Sequence, residues 1–264
     1  MKSLRYLFLN RLLWAGVLFA GFVGCVTNEA GRKQLMLVSQ QEEMQLGLNS
    51  FQQMKTNTPI SSDRAANEMV RRVGDRIKSV VNLSGAQWEF VVFDSKEANA
   101  FCLPGGKIGV YTGIIPLVKD DAGLATVLGH EIAHATLHHG AERMSRAMTM
   151  QVVGQGLGYA VDASNPKWTT AFSQLYGVGS SVAVELPYSR SNESEADKMG
   201  LFYMAKAGYD PEAAVAFWER FADYNKQAGS KPPFKWLSTH PDEGTRIQQL
   251  RALLPQAKAV YKPQ

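Results

Sequence analysis

Cysteine is scarce in this sequence: the 264 residues contain only Cys25 and Cys102. Two cysteines are too few for a disulfide framework or for a zinc site built from thiolates. Cys102 lies in an apolar, strand-like run, which predicts a buried and unreactive thiol.

Long basic runs are also missing, although the net charge is +4 and the pI is near 9.0. The first 24 residues hold three of the 28 basic side chains and no acidic one, which leaves 28 − 3 = 25 basic against 24 acidic side chains. The basic pI is therefore largely a property of this short segment. Nothing in the charge pattern indicates binding to nucleic acid.

The apolar run at residues 12–23 is too short to span a bilayer, which takes about 20 residues. A basic start, a short apolar stretch and a small residue before Cys25 describe a secretory signal at 1–24. The letters FVGC resemble a bacterial lipobox, in which the cysteine is lipidated. We therefore expect an exported protein on the periplasmic side of a bacterial membrane, lipid-anchored through Cys25. The alternative is an uncleaved amphipathic anchor.

Hydrophobic periodicity predicts an α+β fold that is mostly helical. Residues 88–93 read as a strand, and 100–113 as a hairpin about Pro104-Gly105-Gly106. These strands predict a small antiparallel sheet beside the histidine-rich helix. Predicted helices cover about 40–55, 63–81, 120–140, 191–208, 211–224 and 242–254. The cap of the second helix is predicted at Ser62 or Asp63, and that of the fourth at Ser191 or Asn192.

Four of the five histidines lie between positions 130 and 139. His130-Glu131-Ile132-Ala133-His134 fits the pattern H-E-x-x-H. A spacing of four places both imidazoles on one helix face, where they can reach one Zn²⁺ at about 2.0–2.1 Å. Glu131 is then placed to act as general base toward a water molecule. The alternative is a helix with surface histidines, but the surrounding residues form an apolar face, and histidines there need partners.

A catalytic zinc needs a third protein ligand and an open position. Leu137 and Gly140 stand where the metzincin extension requires glycine and histidine, so the candidate is a glutamate from a second helix. Glu193 and Asp197 are four residues apart and share a face, whereas Glu195 lies on another. Glu193 is predicted to bind the metal. Asp197 is predicted to hydrogen-bond a ligand histidine or to face the leaving group. The alternative is an ordinary acidic first turn.

Four segments, in chain order, resemble one family: NAFCLPGGKIGVYTGI, VLGHEIAHATLHH, YSRSNESEADKMG and STHPDEGTRI. The family is that of the gluzincin zinc peptidases, which includes HtpX, BepA, the mitochondrial OMA peptidase and the CAAX prenyl proteases. The resemblance covers roughly residues 40–252 and is greatest to soluble, exported or lipoprotein members. It implies a zincin-like metallopeptidase domain at 39–255, after a short linker at 25–38 and before a tail at 256–264.

The resemblance implies one Zn²⁺ per chain, with roles that carry over by position. His130, His134 and Glu193 match the zinc ligands, Glu131 matches the catalytic base, and Asp197 matches a proton donor or a residue that supports a ligand. His240 matches a histidine that stabilises the oxyanion or sits on zinc as a fourth, inhibitory ligand. Its alternative is a surface residue at a helix start. His138 and His139 are expected to pack or to support the ligands.

The function implied is a zinc-dependent endopeptidase that cleaves locally unfolded or misassembled envelope proteins, in contact with envelope assembly machinery. The strand around Asn99, Ala100 and Phe101 precedes the metal helix, and its edge could pair with an extended substrate. The competing interpretation is a non-catalytic envelope assembly chaperone in which zinc is structural. Glu131 beside an open coordination position argues against that reading.

Overall fold

The computed structural model describes residues 24–155, 188–228, 240 and 244–263. The chain begins with strands β1 (Cys25–Thr27) and β2 (Lys33–Leu35) and helices α1 (Gln40–Asn57) and α2 (Arg64–Lys78). Strands β3 (Glu89–Phe93), β4 (Ala100–Leu103) and β5 (Lys107–Tyr111) lead through a 3-10 turn (Thr112–Ile114) into α3 (Ile115–Val118). The later helices are α4 (Asp121–Thr136), α5 (His139–Gln155), α6 (Arg190–Lys206), α7 (Glu212–Ala228) and α8 (Arg246–Val260).

The predicted α+β, mostly helical class is confirmed, and the central sheet is mixed. β4 and β5 form the predicted antiparallel hairpin, in which Gly105 and Gly106 adopt the positive φ that the tight turn requires. β3 runs parallel to β5, so the strand order is β3-β5-β4 and the sheet is only partly antiparallel. Cys102 lies buried in β4, and burial raises the pKa of its thiol well above the ordinary value, as expected for an inert cysteine.

Helix starts follow local capping chemistry. Asp63 caps α2 by accepting from the amide of Ala66, one of the two caps predicted. For α6 the predicted cap was Ser191 or Asn192, but the cap is Ser189, and Asn192 closes the capping box from the third helical position. The later helices also differ from prediction at their ends: α7 begins at Glu212, just after Pro211, and α8 begins at Arg246 and continues to Val260.

Helix α4 occupies the centre of the molecule. Asp120 caps it by accepting from the Gly123 amide, and every residue from Gly123 to Thr136 is buried. Its neighbours are the sheet through β4, and helices α2, α6 and α7. Because α4 is enclosed on all sides, the polar side chains of the histidine motif lie inside the core, where they must be paired.

The metal-motif helix was predicted to continue to about Gly140, but it ends at Thr136, and a new helix begins at His139. His138 takes a left-handed conformation, with φ of 54°, that is uncommon for residues other than glycine. Its ring bonds the buried carboxylate of Glu43 at 2.7 Å, which fixes this conformation from α1. The break redirects α5 and places His139 beside His134.

Helices α4 and α6 cross with their backbones in contact at Gly129 and Gly200. A Cβ on Gly200 would lie 2.7 Å from the amide nitrogen of His130, and one on Gly129 would lie 2.8 Å from the carbonyl oxygen of Gly200. Only glycine therefore permits this approach. The contact brings the acidic face of α6 against the histidine face of α4.

Residues 25–38 were predicted to be a short linker, yet 25–35 form an antiparallel β-hairpin of β1 and β2. The amide of Leu37 donates to the hydroxyl of Ser145 on α5, so the segment is attached to the domain. The predicted signal at 1–24 lies outside the described residues except for Gly24. Within the described ranges, no helix combines the length and the apolar character needed to cross a membrane.

Gly200→Ala tests the helix crossing. Helix propensity alone favours alanine by about 1 kcal/mol, whereas overpacking a tight contact costs about 1–3 kcal/mol. We expect the contact to dominate, with a lower free energy of unfolding in urea and weaker retention of zinc against a chelator. Lys198→Ala, an exposed change on the same helix, is the control. Equal behaviour of the two variants would contradict the crossing.

The His138–Glu43 pair predicts a pH dependence of stability. The hydrogen bond to Glu43 raises the pKa of His138 against the effect of burial, with Glu29 adding to the shift. The pair's full contribution is therefore present below about pH 6.5, the unfolded pKa, and is lost as pH rises through the higher folded value. His138→Asn tolerates the left-handed backbone but does not titrate. We expect it to cost about 1–3 kcal/mol at pH 5.5.

The difference in unfolding free energy between wild type and His138→Asn should shrink steadily between pH 6 and pH 8.5, as measured by urea denaturation of the zinc-loaded proteins. Glu43→Gln removes the carboxylate and serves as the matched control, because it should abolish the same pH dependence. A difference that is constant across this range would refute the role of the pair.

Candidate metal centre

Four side chains from three parts of the chain converge in the core. His130 and His134 come from α4, Glu193 from the first turn of α6, and His240 from the segment before α8. One donor atom of each lies within 4.8 Å of all the others, and all four residues are buried. The prediction placed His130, His134 and Glu193 around one ion, and the fold brings these three together with His240.

The spacing of the donors matches a tetrahedral metal site. Metal bonds of about 2.0–2.1 Å place the corners of a tetrahedron about 3.3 Å apart. The Nε2 atoms of His130 and His134 are 3.1 Å apart, and Glu193 carboxylate oxygens lie 3.6 Å and 3.4 Å from them. His240 Nδ1 is 3.2 Å from His130 Nε2 and 3.1 Å from Glu193 Oε1. This nitrogen and oxygen donor set fits Zn²⁺.

The protonation states favoured here are those that metal binding requires. Burial, reinforced by the charge on His130, holds the pKa of His134 well below the ordinary value. Burial also opposes ionisation of Glu193, but His240 and the hydrogen bonds from His134 and His240 lower the pKa of that carboxyl well below its usual range. A neutral imidazole and an ionised carboxylate are therefore ready to act as ligands at neutral pH.

Asp197 lies one turn along α6 from Glu193 and supports the first ligand. Its Oδ1 is 2.9 Å from Nδ1 of His130, so the ring donates there and leaves Nε2 free for a metal. Of the two roles predicted for Asp197, this contact favours the hydrogen bond to a histidine, and that His130 binds a metal stays a prediction.

Arg246, which opens α8, holds both acidic residues in place. Its guanidinium donates from Nε to Asp197 at 2.6 Å and from Nη2 to Glu193, and it stacks on Trp218 of α7 at 4.0 Å. The sequence analysis did not identify Arg246 as functional. The only available signal was its place in STHPDEGTRI, the fourth of the family-like segments.

Glu131 is buried beside the donors rather than among them. Its Oε1 lies 3.5 Å from Nε2 of His240, while the opposite ring nitrogen of His240 faces Glu193. A carboxylate at this position can accept a proton from a group held next to the donors. His240 is itself buried, which rules out the alternative of a surface histidine.

The predicted substrate strand is the edge of the central sheet. β4 pairs with β5 on one side, and Asn99 accepts from the amide of Tyr111 just before β4 begins. Ala100 is buried, and the Phe101 ring packs against Phe51 and Tyr111. The other predicted site residue, Cys25, is exposed at the start of β1.

Residues 64–254 match the model of peptidase family M48. The chain belongs to this family. It is 36% identical over 184 residues to the mitochondrial metalloendopeptidase OMA1 of Saccharomyces cerevisiae, covering 68% of this chain and 51% of that protein. Human mitochondrial OMA1 is 33% identical over 235 residues (86% and 44%), and a putative beta-barrel assembly-enhancing protease of Vibrio cholerae is 30% identical over 215 residues (80% and 43%).

This M48 chain spans about half the length of the curated relatives it matches. The family assignment agrees with the gluzincin resemblance that the four sequence segments carried.

Two further residues beside the donor cluster were not identified from the sequence. Tyr188 stacks on His134 with ring centroids 3.9 Å apart, and burial raises the pKa of its hydroxyl to about 12. Arg143 lies over the other side of this tyrosine at 4.0 Å. Tyr188 opens YSRSNESEADKMG, the third of the family-like segments, and that place was its only signal, whereas Arg143 lies outside all four segments.

Proposed function

We propose that this chain is a zinc-dependent endopeptidase of the cell envelope. The observation that carries the proposal is the buried donor set of His130, His134, Glu193 and His240, with the carboxylate of Glu131 immediately beside it. Membership of family M48 supports the same reaction class. The bond cleaved is the amide bond of a polypeptide, and one zinc ion is bound per chain.

In this proposal His130, His134 and Glu193 hold the ion. When bound, zinc supplies Lewis-acid polarisation of the water and of the scissile carbonyl. Glu131 accepts the proton of the attacking water and returns it to the leaving amine, which converts the amide into a carboxylate and a free amine. Asp197 keeps His130 in the tautomer that presents Nε2, and Arg246 holds the carboxylates of Asp197 and Glu193 in orientation.

His240 is assigned here as a fourth ligand that closes the site. Its Nδ1 lies as close to Glu193 and His130 as a ligand in the same tetrahedron would. A catalytic zinc site keeps one position open, so His240 must withdraw before a substrate is cleaved. The alternative role, stabilising the oxyanion, requires its ring to face the substrate and not the other ligands.

The edge of β4 is the proposed substrate-binding strand. Asn99, Ala100 and Phe101 would offer backbone groups to an extended peptide, because the Phe101 ring is already packed against other aromatic residues. Recognition through the backbone gives weak sequence selectivity and requires a substrate that is locally unfolded. Misassembled envelope proteins meet this requirement.

The relatives named as beta-barrel assembly-enhancing proteases support a place for this chain near envelope assembly machinery. We place it on the periplasmic side of a bacterial membrane, exported by residues 1–24 and lipid-anchored at Cys25. An exposed Cys25 at the first strand is compatible with an attached lipid.

A non-catalytic assembly chaperone is the second candidate, because a site with four protein ligands is typical of structural zinc. Glu131 argues against it. A structural site has no use for a buried carboxylate beside its ligands, and burying one is costly. Activity measurements on the two variants below separate the candidates.

Glu131→Gln should leave one zinc per chain while hydrolysis of unfolded casein falls by at least about 10²–10⁴-fold, the usual effect of losing a general base. Zinc content is measured by atomic emission and hydrolysis by release of fluorescent peptides. His134→Ala, the matched control, should lose the metal itself. If Glu131→Gln hydrolyses casein at the wild-type rate, the proposed mechanism is wrong.

His240→Ala separates the two roles of this histidine. A closing ligand predicts faster casein hydrolysis than wild type, together with weaker zinc binding. An oxyanion-stabilising role predicts a loss of about 10²–10³-fold in kcat with unchanged zinc affinity. If wild type and His240→Ala are both as inactive as wild type plus chelator, and the variant also binds zinc more weakly, the structural site of a chaperone is favoured instead.

A further inference from the structure

His134 is supported by a chain of contacts that leads away from the metal centre. Its Nε2 faces the donor cluster, at 3.1 Å from His130 Nε2. Its other nitrogen, Nδ1, lies 3.0 Å from Nδ1 of His139. His139 is fully buried, and its own Nε2 lies 3.1 Å from Oε2 of Glu195. Both ring nitrogens of His139 are therefore used.

The tautomers of His134 and His139 follow from the proposed role of His134 as a metal ligand. A neutral His134 that presents Nε2 to a metal carries its proton on Nδ1 and donates it to His139. His139 must then accept at Nδ1, carry its proton on Nε2 and donate to Glu195. Glu195 also accepts hydrogen bonds from Arg32 and Asn28. The series of hydrogen bonds that starts at His134 thus ends on the carboxylate of Glu195.

The Glu195 end of this series of hydrogen bonds is held by the N-terminal hairpin. Arg32, in the turn between β1 and β2, donates from Nε to Glu195 and from both terminal nitrogens to the buried Glu142 at 2.7 Å each. Asn28 adds a bond to Glu195 at 2.8 Å. A two-point pairing of guanidinium and carboxylate fixes direction as well as distance. The same hairpin carries Cys25.

We propose that His139 and Glu195 are positioning residues for the zinc ligand His134, and that Arg32 in the N-terminal hairpin holds Glu195, and through it His139, in place. The metal centre then depends on docking of the segment next to the candidate lipid anchor. His130 is supported by one carboxylate, Asp197, whereas His134 is supported through a second histidine. The inference rests on the proposed metal site, and the experiment below separates failure of the two.

The test measures zinc affinity by competition with a fluorescent chelator, at fixed pH, on the full chain. His139→Leu removes both hydrogen bonds and should weaken zinc binding by about 10–100-fold, the usual effect of losing such a partner. His139→Gln can still accept from His134 and donate to Glu195, so it should recover most of the affinity. It also tests the idea should the leucine variant fail to fold.

Arg32→Met should weaken zinc binding in the same direction but by less. Combined with His139→Leu it should add nothing, because Arg32 acts through His139. Arg64→Met, an exposed arginine paired only within its own helix, is the matched control. Val73→Ala, a core change on α2, controls for general loss of stability and should leave zinc affinity unchanged.

Substitution of Co²⁺ gives a second reading, since a displaced His134 alters the visible absorption of the bound ion. Unchanged zinc affinity and an unchanged cobalt spectrum in His139→Leu would overturn the positioning role. If the losses of zinc affinity are additive in the double variant, the proposal that Arg32 acts through His139 is wrong. Failure of the wild-type chain to bind zinc at all would instead reject the metal site on which this inference rests.

Discussion

The contact on which the site depends is the crossing of α4 and α6 at Gly129 and Gly200. Two ligands come from one helix and a third from the other, more than fifty residues along the chain. Packed helices normally lie about 8–10 Å apart, because side chains at the contact hold them there. With glycine at both contact positions the two backbones touch, and this close approach fixes how the histidine face of α4 meets the acidic face of α6.

Enclosing several ionisable groups in a core creates a free-energy cost that the surrounding pairs must offset. Four acidic residues around the donors are paired with two arginines. Asp197 and Glu193 share Arg246, and Glu195 and Glu142 share Arg32. These two arginines lie at opposite ends of the chain. The candidate metal centre is thus bordered by ion pairs from the β1–β2 hairpin and from α8 as well as by its own helices.

The residues predicted to form the site could be read from the sequence because their spacing is local. The spacing of His130 and His134, and the position of Glu193 in a first helical turn, are set by helix periodicity alone. The same reasoning predicted that α4 continues to about Gly140, whereas the helix ends at Thr136. The sequence could not show this end, because the left-handed conformation of His138 depends on Glu43, a residue 95 positions away.

Residues that act across the fold could not be identified in this way. Arg32 lies in a segment that resembles a linker, and nothing in its neighbours indicates that it reaches Glu142 and Glu195. The parallel pairing of β3 with β5 is likewise a property of the whole fold, in which β3 packs on α2 and β4 packs on α4. His240 was identified as near the metal only by resemblance, and its contact with Glu193 needed the fold.

The most direct test is X-ray absorption at the zinc K-edge on the purified chain. We predict one zinc per chain, surrounded by nitrogen and oxygen atoms at about 2.0–2.1 Å, with the outer-shell scattering of imidazole rings. A sulfur shell at about 2.3 Å, or a chain that retains no stoichiometric zinc, would contradict the claim that the two α4 histidines and Glu193 bind a single ion.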